Sequence, residues 1–152
     1  MNDAELRRYF NCAAIDYRAA FSMLFVAFTR WLRLQTGQHT LRDGLIFFSQ
    51  QPSVWSTLYK NDSRLKSAMT ALYILTQLRP LQDSRDWPGM LRDEFDWQGI
   101  GWLWYRIRCV IVHGEFVTAA TEVMVSYAYV TLHDFMVAVM NRQDPSIMVS
   151  FG

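Results

Sequence analysis

Lysine, cysteine, histidine and proline are all scarce in this chain. Of 152 residues only two are Lys, two Cys, three His and four Pro, against thirteen Arg. Cys12 and Cys109 lie far apart and match no metal-ligand or redox spacing, which excludes a disulfide scaffold and reads as single thiols in a reducing compartment. The motifs G-x-S-x-G, G-x-x-x-x-G-K, H-E-x-x-H and C-x-x-C are absent, so most hydrolase, nucleotide-triphosphate and zinc chemistries drop out. The first ten residues carry no apolar signal core, and charged residues break each apolar run before the ~20 residues a membrane span needs. A cytoplasmic protein without a membrane partner is expected. With a net charge of +1, no global field holds nucleic acid, so any such binding must be local.

What the chain does have is apolar surface. Hydrophobic residues make up 51% and aromatics 15%, more than an ordinary monomer needs, and part of that excess suits an interface between copies. The length suits one domain over residues 1–152.

Periodicity is helical throughout. Phe10, Ala14, Tyr17, Phe21, Leu24, Phe28 and Trp31 recur at spacings of four and three within a helix from Asn2 to Thr36, stopped by Gly37. A second helix is expected over Leu41–Ser49 and a short turn over Ser53–Tyr59. A third runs from the caps at Asn61–Ser63 to about Arg79, with Leu65, Ala68, Met69, Leu72, Leu75 and Thr76 inward. Residues 80–98 read as a polar connection whose carboxylates, including Asp83, Asp86, Asp93, Glu94 and Asp96, form a solvated surface, with one helical turn over Met90–Phe95.

Ile100–His113 and Glu115–Asn141 complete the set. In the former, Ile100, Leu103, Trp104, Ile107 and Ile111 form one stripe, which decides against a strand at the β-branched Val110–Val112. The final helix is apolar nearly all round and so is expected to be buried on several sides. The expected fold class is all-α, an antiparallel bundle of four to six helices.

Histidine is the side chain that titrates near neutrality. His39 precedes a helix and reads as a cap or surface residue; His133 beside Asp134 reads as a satisfied histidine. His113 differs, because it closes a helix that carries Arg106 and Arg108 and is followed at once by Gly114.

The stretch Arg108-Cys109-Val110-Ile111-Val112-His113-Gly114 resembles the signature of the HEPN superfamily, an Arg followed four to six residues later by His, commonly R-N-x-x-x-H-G. The Apea-like HEPN type is closest in appearance. About ten residues carry the likeness closely; the rest agrees in architecture, with a long first helix and a hydrophobic final helix directly after the motif.

The resemblance implies a metal-independent, cofactor-free endoribonuclease of the toxin or defence kind. It would act on RNA at the two-fold interface of a homodimer, with a nucleotidyltransferase-type antitoxin as a possible further partner. Cleaving RNA through its own 2′-hydroxyl needs a base, an acid and cationic donors for a phosphorane. One chain offers one His113; two chains would bring two His and two or four Arg to one phosphate.

The family pattern selects Arg108 as the catalytic arginine. Helix geometry selects Arg106, which at 100° per residue nearly eclipses His113, whereas Arg108 is turned about 140° away. Both remain candidates. Trp102 and Tyr105 lie on the His113 side, positioned to stack on a base or to pack in a core or interface. Cys109 stands where many members have Asn, one turn before His113, and donates only weakly. The alternative is therefore a catalytically inactive HEPN-like module for dimerisation or for RNA or nucleotide binding, its His113 capping its own helix.

Overall fold

In the computed structural model the described residues are 2–51, 58–114 and 119–141, with side chains described for all of these except 8–16, 119–120 and 141. Helix α1 spans Asp3–Thr36, α2 Leu41–Ser49, α3 Ser63–Leu78, α4 Trp97–His113 and α5 Ala119–Asn141. Residues 58–61 are also helical, and no strand occurs among the described residues. The chain is an all-α bundle. The turn expected over Ser53–Tyr59 and the first four residues of the expected last helix, 115–118, fall mostly or wholly outside the described residues.

Side chains set the helix starts. Asn2, Thr40, Asp62 and Asp96 each accept a hydrogen bond from the backbone N–H three residues on, at 2.9 to 3.1 Å. Gly37 and Gly114 end α1 and α4 in the left-handed conformation, at φ 68° and 67°, where a residue with a Cβ is strained.

The core is built on aromatic rings from four helices. Phe28 on α1 meets Phe48 on α2, Trp104 on α4 and Phe135 on α5, with ring centroids 5.4, 5.3 and 6.3 Å apart. All four rings are fully buried, and each contributes roughly 1.5 to 3 kcal/mol by leaving water. Helix α5 packs most extensively on α1 and α3, while α2 joins α1 to α4.

Of the expected inner face of α1, Phe21, Phe28 and Trp31 are buried and Leu24 half-buried, with Phe25 and Leu32 added, while Phe10 and Ala14 lie outside the residues whose side chains are described; the expected face of α3 is buried except for Leu75, which is partly covered. Tyr17 is 37% exposed and rests edge-on against Tyr129 of α5.

In α5 the segment Thr121–Met140, of mean hydropathy 1.5, is long and apolar enough by length and composition to cross a membrane, which corrects the expectation that charged residues break every apolar run too soon for a span. Here it serves as a core helix. Glu122 pairs with Arg18 of α1, and Asp134 with Arg64 of α3 and His133 beside it, so each charge is met by a neighbour. Val123, Val137 and Met140 stay at 41%, 50% and 67% exposure, leaving one apolar side uncovered.

In the connection between α3 and α4, Asp83, Asp93 and Glu94 are exposed as expected, whereas Asp86 is half-buried and Asp96 only 2% exposed. Leu91 is fully buried and Trp87 is 6% exposed. The backbone here is pinned from α3: Thr76 Oγ1 accepts from the Leu91 N–H at 3.1 Å, and Gln77 Nε2 donates to the Leu91 carbonyl at 2.7 Å. Met90–Phe95 forms bends and turns rather than a helical turn.

Candidate functional site

Helix α4 runs without interruption from Trp97 to His113 and begins three residues earlier than the periodicity predicted. Ile100, Leu103, Trp104 and Ile107 point into the core with no exposed surface. Everything proposed for chemistry lies off that stripe. His113 is exposed in the last turn, next to Val112 at 57% exposure; Arg106, Arg108, Tyr105 and Cys109 are half-buried, and Trp102 is 8% exposed.

Successive residues of an α-helix turn by about 100°, so Arg106 and His113 share a side while Arg108 flanks the helix on the other. A single chain therefore does not gather both arginines round His113. Three predicted residues do meet: Trp102, Tyr105 and Arg106 line one cavity of about 240 Å³, together with Arg42, Leu45 and Asp86. The Trp102 and Tyr105 rings stand edge-on with centroids 6.5 Å apart.

Cys109 stands one turn after Tyr105. The Cys109 thiol first, then partial burial, raise the Tyr105 phenol above its usual range, with Arg106 opposing.

Arg42 and Asp86 belong to this surface although neither was singled out as a site residue from sequence. Arg42 donates through Nε at 3.0 Å and Nη2 at 2.9 Å, gripping Asp86 with both ends of its fork. Those bonds, ahead of the charge of Arg42, hold the Asp86 carboxyl below its ordinary range and raise the guanidinium. No local spacing marks a pair 44 positions apart.

His39 is exposed and Thr40 does the capping of α2. His133 lies with its ring on Tyr129, 5.5 Å between centroids, and its Nδ1 is 3.2 Å from Asp134. Both outcomes match the satisfied roles expected of them. Among the described residues no three His, Cys, Asp or Glu side chains converge as metal ligands.

Comparison with protein-family models, curated proteins and solved structures finds no match.

Proposed function

We propose that the outer face of α4 is an RNA-binding and RNA-cleaving surface completed by a second copy of the chain. The observation that carries this reading is the exposed His113 at the end of a helix whose same side holds the half-buried Arg106. Outside Trp102, which packs in the core, that face carries cation and imidazole groups and the half-buried Tyr105, and includes the exposed apolar Val112. On this reading one His113 removes the 2′-hydroxyl proton, its symmetry mate protonates the leaving oxygen, and guanidinium groups donate to the phosphorane.

The second copy is required by chemistry, since one chain supplies one imidazole here. An obligate interface of this kind buries on the order of 2,000 Å². Cys109 and the net charge of +1 favour a second reading, a non-catalytic RNA- or nucleotide-binding dimer, because a thiol donates only weakly where the HEPN pattern commonly has Asn.

Incubating the purified protein with RNA in EDTA separates the two. Cleavage lost in His113→Ala supports the nuclease; intact RNA with a stable dimer supports the binding module. A monomer by light scattering at micromolar concentration overturns both.

A further inference from the structure

Helices α2 and α4 meet at Gly101, where a Cβ would lie 3.4 Å from Leu45 Cδ2. Beside that contact is the cavity of about 240 Å³ lined from α4 by Trp102, Tyr105 and Arg106, which share one helix face. Leu41 and Leu45 of α2 add apolar surface next to the Trp102 ring, and Ser84 and Asp86 of the α3–α4 connection supply a third side. These sides are held in place without a guest. Ser84 and Trp87 exchange backbone hydrogen bonds at 2.8 and 3.3 Å, and Asp86 is gripped by Arg42. A recess formed in advance binds without the cost of ordering its walls.

The charges round it do not balance. Arg42 and Asp86 meet each other through both ends of the fork, and Arg85 adds a second positive charge near the same carboxylate. Arg106 is left over: it is half-buried and has no carboxylate or hydrogen-bond partner among the described residues. Two neutral donors stand in the same lining. The Tyr105 phenol carries its proton at neutral pH, and the Ser84 hydroxyl accepts from the Asp86 N–H at 3.3 Å while keeping its own proton to give.

This combination selects among anions. An apolar cavity of about 150 Å³ takes a benzene ring, so one of about 240 Å³ accommodates a ring with a short acidic arm. A nucleotide brings ribose hydroxyls and a base edge as well, to which Leu41 and Leu45 offer no hydrogen bond, and a polar group buried without a partner is penalised. A single acidic group on an apolar ring meets both demands, because its charge answers Arg106 and its body covers apolar surface.

We propose that this cavity binds a small aromatic carboxylate, its ring against Leu41 and Trp102 and its carboxylate on the Arg106 guanidinium. Arg106 is also the residue proposed to hold RNA. On that reading, and for this point alone, the acid and the strand compete for one guanidinium, which makes the acid a regulator of the RNA-binding face.

The test is calorimetric titration of the full chain, without RNA, with phenylacetate and in parallel with phenylacetamide, acetate and uridine monophosphate. Phenylacetate should bind saturably and more tightly than each of the other three by about tenfold or more. Arg106→Gln keeps a polar side chain without the charge and should weaken binding about tenfold. Leu41→Glu, at a half-buried position in the first turn of α2, gives Arg106 a carboxylate of the chain's own and should abolish phenylacetate binding. It decides the matter if Arg106→Gln does not fold.

No phenylacetate binding at millimolar concentration, equal binding of phenylacetate and phenylacetamide, or an unchanged affinity in either folded variant overturns the inference. Uridine monophosphate binding more tightly than phenylacetate also overturns it and leaves the cavity to the RNA strand. Phenylacetate binding by a protein that cleaves no RNA leaves this site standing and removes the nuclease. Cleavage without phenylacetate binding does the reverse.

Discussion

The Trp104 indole N–H donates to Thr131 Oγ1 across the bundle core, at 2.9 Å, with both residues wholly buried. The hydroxyl in turn donates to the carbonyl of Ala128 at 2.9 Å or Tyr127 at 3.1 Å, one helical turn back. It thereby ties α4 to α5 just below the outer face of α4, where position matters for any chemistry.

Thr131→Val keeps the shape and strands the indole donor in the core, so it should cost about 1 to 3 kcal/mol, the penalty of an unmet buried polar group. Thr131→Ser keeps the hydroxyl and loses one methyl, and should cost about 1 kcal/mol. Urea unfolding of both variants checks the ordering. A valine variant as stable as the parent means that this bond contributes nothing.

The start of α4 hangs on Asp96, which accepts from the backbone N–H groups of Gly99 and Arg92, both at 2.9 Å, as well as from the Arg92 guanidinium. Gly99→Ala would drive a methyl into that carboxylate, and we expect a loss of about 2 to 4 kcal/mol, in the range of overpacking combined with a broken cap. Asp96→Ala should cost a similar amount, because it leaves several donors unmet at a buried site. Thermal melts of the two variants measure this, and either one melting with the parent contradicts the argument.

Much of the bundle was legible because its signals are local. Apolar residues at spacings of three and four marked the inner faces of α1, α3 and α4, and Gly37 and Gly114 marked two helix ends that the structure closes in the left-handed conformation. The start of α4 was misplaced for a physical reason. Gly99 and Gly101 disfavour helix on propensity, and what overrides it is tertiary: a Cβ on Gly101 would sit 3.1 Å from Phe48, so the glycine lets α2 and α4 approach. Nor could the sequence show that Asp96, in a run of exposed acids, is buried by its own cap and by Arg92.

The surface beside the motif was half legible. Arg106, Tyr105 and Trp102 follow from helix geometry once α4 is placed. Arg42, Asp86 and Trp87 reach the same region from elements distant in sequence, and no periodicity pairs them with it.

At the start of α3, Asp62 caps the helix by accepting from Leu65 N–H at 3.0 Å, yet it is partly buried and meets Asp134. Burial first, then a hydrogen bond and repulsion involving Asp134, outweigh the capping bond and raise the Asp62 pKa. A carboxyl raised in the folded state stabilises fully below its unfolded value, about 4, and that contribution is lost as pH rises through the folded value. Asn caps as well as Asp. Asp62→Asn should therefore be more stable than the parent at pH 7, by under about 1 kcal/mol after solvent screening, with the gain vanishing below about pH 4. Melting curves at the two pH values decide it, and a destabilised variant at pH 7 would show the cap outweighing the repulsion.

The arginines supply the sharpest test of the proposed chemistry. Because α4 is unbroken from Trp97 to His113, Arg108 is turned about 140° from the His113 of its own chain, while Arg106 lies along the same side. Arg106 also lines the cavity with Tyr105 and Trp102, a place suited to holding the strand. Arg108 is absent from that cavity's lining, and on the proposed reading it is the guanidinium left to donate to the phosphorane across a two-fold axis. Arg108→Ala should then lower single-turnover cleavage by roughly 3 to 4 kcal/mol of barrier, on the order of a few hundredfold, with the dimer intact. Arg108→Lys keeps the charge without the fork and should restore only part of the rate. Arg106→Ala should weaken RNA binding with a smaller effect at saturating enzyme. If instead Arg108→Ala cuts at the parent rate and Arg106→Ala is dead, the arginine beside His113 in the same chain is the catalytic one, and the motif alignment at Arg108 is wrong.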